Sequence, residues 1–137
     1  MKLTNTSRRA NKGMTLLELT VVILVLLSLI SILFVGARAW KKGSDRAANI
    51  MNIRNVQQAV RAHQNMQGLL EGAALADTVI FGSGPATEGY LKRPTPPAST
   101  LTYTYGTTVP AIGTLYLAVT GTNAADYAPA TGTYADW

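Results

Sequence analysis

The stretch RRANKGMTLLELTVVILVLLSLISILFVGARAW, residues 8–40, decides how the rest of the chain is folded and placed. From Leu19 to Val35 it holds 17 residues without a charge, and only Thr20, Ser28 and Ser31 are polar; counted from Met14 the run is 22 residues, interrupted once by Glu18. About 20 helical residues at 1.5 Å rise each cover a hydrocarbon core about 30 Å thick, so the run predicts one membrane-spanning helix. A cleaved secretory signal is the rival, with an apolar region of roughly 7 to 15 residues and a small-residue site after it. Here the run is longer, and Gly36-Ala37-Arg38-Ala39 leaves residue 39 as a weak site. Charge does not orient the span. Lys2, Arg8, Arg9 and Lys12 precede it, and Arg38, Lys41, Lys42 and Arg46 follow it.

Glu18 is the informative residue. An acid at the centre of a spanning helix costs about 2.5 to 3.5 kcal/mol, and less near an interface. Within a turn of the headgroups a carboxylate can snorkel and need no function. Met14, however, lies four residues upstream and shares a helical face with Glu18. A cut between Gly13 and Met14 would leave the apolar helix on the mature protein and set a new amine beside that carboxylate.

The string Lys12-Gly13-Met14-Thr15-Leu16-Leu17-Glu18-Leu19, with a basic leader before it and an apolar helix after it, resembles the class III signal of type IV pilins and type II secretion pseudopilins. The resemblance implies cleavage after Gly13 by a membrane-bound prepilin peptidase on the cytoplasmic side, and N-methylation of Met14. It implies an orientation as well: leader in the cytoplasm, residues 38–137 periplasmic or extracellular, and a single pass of a bacterial inner membrane. The family also gives Glu18 its role, pairing with the amine of a neighbouring subunit during assembly. The partners it implies are other copies of the chain in a helical filament, minor pilins or pseudopilins, and an inner-membrane assembly platform. Met14 stands where Phe is commonest, a tolerated variant. Two absences shift weight from an adhesive pilus toward a pseudopilin: Val35-Gly36 stands where many pilins have a proline kink, and the C-terminal disulfide is impossible in a chain without cysteine. Retention of Glu18 argues against the tip-type minor pseudopilin.

Beyond the span a second helical pattern follows. Ile50, Ile53, Val56, Val60, Met66 and Leu70 recur at spacings of three, four and six, with Arg54, Gln58, Arg61 and Asn65 on the other side. That is the stripe of an amphipathic helix. One helix over about 14–70 is expected, loosened near Gly43-Ser44-Asp45 and ended near Gly68 or Gly72. Residues 72–98, closing in Arg93-Pro94-Thr95-Pro96-Pro97, read as a connecting loop. Leu101–Tyr105 and Thr114–Thr120 read as two strands around a turn region with Pro110, an antiparallel hairpin that must pack on something to be stable. The helical stripe is the available surface. The expected architecture is therefore α+β and pilin-like: leader 1–13, core helix 14–36, amphipathic continuation 37–71, and a small β domain with loops over 72–137. The order Gly89-Tyr90-Leu91, proline-rich turn, Thr-Tyr-Thr-Tyr-Gly adds a weaker likeness to small pseudopilins. The tail from Gly121 to Trp137 carries no regular pattern.

Composition removes other classes of function. The net charge of +5 suggests a nucleic-acid binder, but four of the twelve basic residues lie in the leader, and the remaining eight face seven acids. No basic patch interleaved with aromatics remains, so nucleic acid is not an expected partner. The sequence holds no G-x-S-x-G, H-E-x-x-H, P-loop, dinucleotide fingerprint or cysteine nucleophile, and Gly82-Ser83-Gly84 lacks a base. No enzyme is expected. His63 borders the apolar stripe and reads as a packed histidine. The resemblance raises calcium for the C-terminal loop, with Asn123, Asp126 and Asp136 as weak candidate ligands. Calcium takes six to eight oxygens and no EF-hand spacing is present, so the residues alone assign no cofactor. Two functions remain: a filament subunit of a secretion pseudopilus or pilus, and a single-span anchored binding protein whose signal string is coincidental.

Overall fold

The structure is a computed structural model that describes residues 15–84 and 87–137. The leader, with Lys12, Gly13 and Met14, lies outside the described residues. In chain order the elements are helix α1 (Leu16–Gln67), helix α2 (Asp77–Phe81), strand β1 (Leu101–Tyr105), strand β2 (Leu117–Gly121), helix α3 (Ala124–Tyr127) and a 3-10 turn over Thr131–Thr133. Internal contacts divide the chain into two compact units that meet in sequence at Ala39 and Trp40. The helix is 52 residues long and its assignment is unbroken at Gly36 and at Gly43-Ser44-Asp45, so the expected loosening is absent. One glycine and two weak helix formers cost about 1 kcal/mol or less each, too little to open a helix whose neighbours on both sides are committed.

In the first unit, the apolar residues from Leu16 to Val35 are exposed on every side, at relative accessibilities from 46% for Leu19 to 80% for Leu16. The helix is long and apolar enough to cross a membrane. Its few hydroxyls close on its own backbone. Thr20 donates to the Leu17 carbonyl, Ser28 to those of Leu24 and Val25, and Ser31 to that of Leu27, at 2.7–2.9 Å. None of the hydroxyls of Thr20, Ser28 and Ser31 therefore has to find water, which suits that stretch to hydrocarbon.

In the second unit, α1 buries Asn49, Ile53, Val56, Gln57, Val60 and His63. The core joins Ile53, Val56 and Val60 to Leu75, Ile80, Phe81, Val109, Tyr116 and Leu117. The stripe therefore holds at its centre and fails at its end, since Met66 is 69% and Leu70 81% exposed. Six residues from Val60 to Met66 turn about 240° rather than a whole number of turns, which carries Met66 off the buried face. Leu70 lies past the end of the helix. Gly68 takes φ +62° and Leu69 N–H reaches back to Gln64 C=O at 3.0 Å. This Schellman-type stop needs the left-handed conformation that glycine adopts cheaply.

The sheet is a two-stranded antiparallel hairpin, Leu101 opposite Gly121 through Tyr105 opposite Leu117. β2 starts at Leu117 and not at Thr114, because a side chain takes the backbone groups a strand partner would take. Gln57 donates Nε2–H to Thr114 C=O and accepts from Tyr116 N–H, both at 3.0 Å. The 72–98 connection is more structured than its composition suggests. Leu75 N–H bonds to Thr107 C=O and Val109 N–H to Ala73 C=O, each at 2.8 Å, extending the hairpin by one short bridge. α2 follows, burying Ile80 and Phe81. Gly89 then passes against the Ile80 carbonyl so closely that a Cβ would collide with it.

Candidate functional site

Two groups of residues were singled out by sequence, one at the head of α1 and one in the C-terminal tail. At the head, Thr15 and Glu18 form a reciprocal pair. Thr15 N–H donates to Glu18 Oε2 at 3.1 Å, and Glu18 N–H donates to Thr15 Oγ1 at 3.3 Å. This is a capping box, which satisfies two of the backbone donors that a helix start leaves open. The carboxylate also sits in the first turn, where the helix dipole favours a negative charge. Thr15 was not assigned a role from sequence, although the T-x-x-E spacing was there to read. A carboxylate has about four acceptor positions, so one bond from Thr15 leaves capacity for a cation.

The tail residues do not gather around one point. Asn123 adopts a left-handed conformation, φ 58°, ahead of α3, and its side chain makes no capping bond. Asp126 is held by Lys42 Nζ at 2.8 Å, and that bond together with the carboxylate's charge raises the Lys42 ammonium above its ordinary value. Asp136 instead lines an open cleft of about 690 Å³ with Arg54, Arg61, Glu71, Ile112 and Trp137. No three His, Asp or Glu side chains cluster as a metal site among the described residues.

In that cleft Arg61 is a fastener. It donates to the backbone oxygens of Pro110 and Trp137 and to Gln64 Oε1, all at 2.9 Å, while the Arg54 guanidinium lies 5.2 Å from the Trp137 ring centre. Asn49 does similar work nearer the start of the unit. It donates to the Tyr127 carbonyl at 2.8 Å and accepts from the Tyr103 hydroxyl at 2.7 Å. His63 is buried, with Nδ1 at 3.2 Å from the Tyr90 hydroxyl and the two rings edge to face. On the proline-rich side, Arg93 bonds Asp77 at 2.7 Å and lies 4.8 Å from the ring centres of both Phe81 and Tyr105. Its own pKa is raised, first by the bond to Asp77. Arg61, Asn49, His63 and Arg93 each bond to partners inside the unit and so tie its segments together. No protein-family model, no curated protein and no solved structure matches the chain.

Proposed function

We propose that the chain is a structural subunit of a filament, of the type II secretion pseudopilus or type IV pilus-like kind, made as a precursor, cut after Gly13 and assembled through its N-terminal helix. The observation that carries this reading is the head of α1. A shaft with apolar residues exposed on all sides carries a single carboxylate, Glu18, in its first turn and four residues after Met14 of the Lys12-Gly13-Met14 string. A shaft of that kind suits two environments in turn, lipid before assembly and the shafts of other subunits afterwards. The hairpin unit supports the reading by holding itself together with its own core, so that the apolar shaft is free to bundle.

Glu18 supplies register. On entry into a bundle without water an unpaired charge costs several kcal/mol, and a partner of opposite charge offsets much of that cost. The Met14 amine of an arriving subunit meets the Glu18 carboxylate of one already in place. Thr15 holds that carboxylate at the helix start while leaving acceptor positions open. Glu18→Gln should leave cleavage and membrane insertion intact and abolish or severely reduce filament yield, because the amide keeps the shape and loses the charge. Filaments of Glu18→Gln at normal yield would reduce Glu18 to a helix cap and an interfacial carboxylate.

A further inference from the structure

The second unit opens on Trp40-Lys41-Lys42, five residues past the end of the apolar run at Val35. Trp40 is 82% exposed and has no aromatic or cation partner among the described residues. Lys41 and Arg46 are exposed and make no salt bridge among the described residues, while Lys42, between them in sequence, is taken up by Asp126. Between Glu18 and Glu71 the only acid is Asp45. The first unit ends in the same chemical manner, with the Arg38 guanidinium 4.7 Å from the Phe34 ring centre. An exposed indole beside uncommitted cations, next in sequence to a membrane-length apolar helix, is the composition of a membrane–water interface.

We infer that Lys41, with Trp40 next to it, and Arg46 further along the helix bind the phosphodiester headgroups of anionic phospholipids. The inference rests on the membrane-spanning part of the proposed function and not on filament assembly. Charge complementarity selects the occupant. A zwitterionic headgroup returns a cation for every phosphate it offers, whereas an anionic one leaves its phosphate charge uncompensated for Lys41 and Arg46. The pair with Asp126 keeps Lys42 out of this set, so the tail sets how many cations face the lipid.

The test uses the full chain. Flotation with phosphatidylcholine vesicles first establishes insertion. Native mass spectrometry then counts lipids retained by the chain from micelles titrated with equal amounts of phosphatidylglycerol and phosphatidylcholine. Phosphatidylglycerol should be retained in preference, Lys41→Gln with Arg46→Gln should lower that preference by about fivefold per basic residue, and Asp126→Asn should raise it by releasing Lys42. Added inorganic phosphate should leave the lipid adducts in place. Equal retention of the two lipids by the wild-type chain, or an unchanged preference in the double variant with an unaltered circular dichroism spectrum, overturns the inference. Displacement by inorganic phosphate also overturns it, by making the site one for the free anion. A chain that fails to float overturns the spanning reading, and this inference with it; a chain that floats without lipid preference overturns this inference alone.

Discussion

Two stretches of the same helix, Leu16–Val35 and Asn49–His63, use their residues in opposite ways. The first is almost wholly apolar and buries none of it among the described residues. The second buries six residues, three of them polar: Asn49, Gln57 and His63. Apolar content therefore does not mark where this chain folds on itself. The first stretch has surface to give to something outside the chain. The second fixes the hairpin and tail by feeding side-chain amides into backbone positions, and a buried amide with both partners in place is specific where another leucine would not be.

If that contrast is right, damage to the second stretch unfolds residues 40–137 and damage to the first does not. The largest expected effect is Val60→Asp, which puts a carboxylate at a fully buried position inside the apolar core. Urea unfolding of the detergent-solubilised chain should lose about 3 kcal/mol or more, while Leu26→Ala should leave the same transition unmoved. Equal losses from the two would break the comparison.

Gln57→Leu comes next. It keeps an apolar bulk but orphans the Thr114 carbonyl and the Tyr116 amide, for an expected loss of about 2 kcal/mol. A neutral result would mean that the amide contributes shape and no more.

Tyr116→Phe sharpens the picture with a smaller change, about 1 kcal/mol, because it leaves the Leu75 carbonyl without its 3.0 Å donor. It carries a pH signature too. Burial raises the Tyr116 phenol above its ordinary value, and Tyr103 and Tyr105 in the same way. A raised folded pKa favours the protonated native state. That stability is fully present below about pH 10, the ordinary phenol value, and is lost as pH rises through the higher folded values. The unfolding midpoint should stay level with respect to these groups up to about pH 10 and fall above it, and Tyr116→Phe should make the fall shallower.

Smallest of all is Asp126→Asn. Both members of the Lys42 pair are about half exposed, and exposed pairs of this kind contribute little. The unfolding midpoint should not shift measurably.

How much of this was legible in the sequence follows from the same contrast. The long apolar helix, the central stripe of Ile53, Val56 and Val60, and the β1 strand were readable because each rests on the pattern of apolar residues alone. Asn49 and Gln57 were not, since a search for apolar spacing passes over polar residues whose task is to bond backbone. The start of β2 was misplaced for that reason, because Gln57 replaces the strand partner at Thr114 and Tyr116. Met66 was misjudged by accepting a six-residue step as periodic. α2 was missed because Ala76, at its N-cap, offers no side-chain bond to announce it. At the head of α1, Glu18 stood out as the one charge in an apolar run, but Thr15 was hidden among its neighbours until the capping geometry brought the two together.

The central claim is that the apolar stretch is retained on the mature protein and headed by a new amine next to Glu18. The most direct measurement is the intact mass of the chain recovered from its native membrane, with sequencing of its N-terminal peptide. The account predicts a chain that begins at N-methylated Met14 and keeps Glu18. A chain that still carries residues 1–13, or one that begins after Ala39 with the apolar stretch removed, would contradict it.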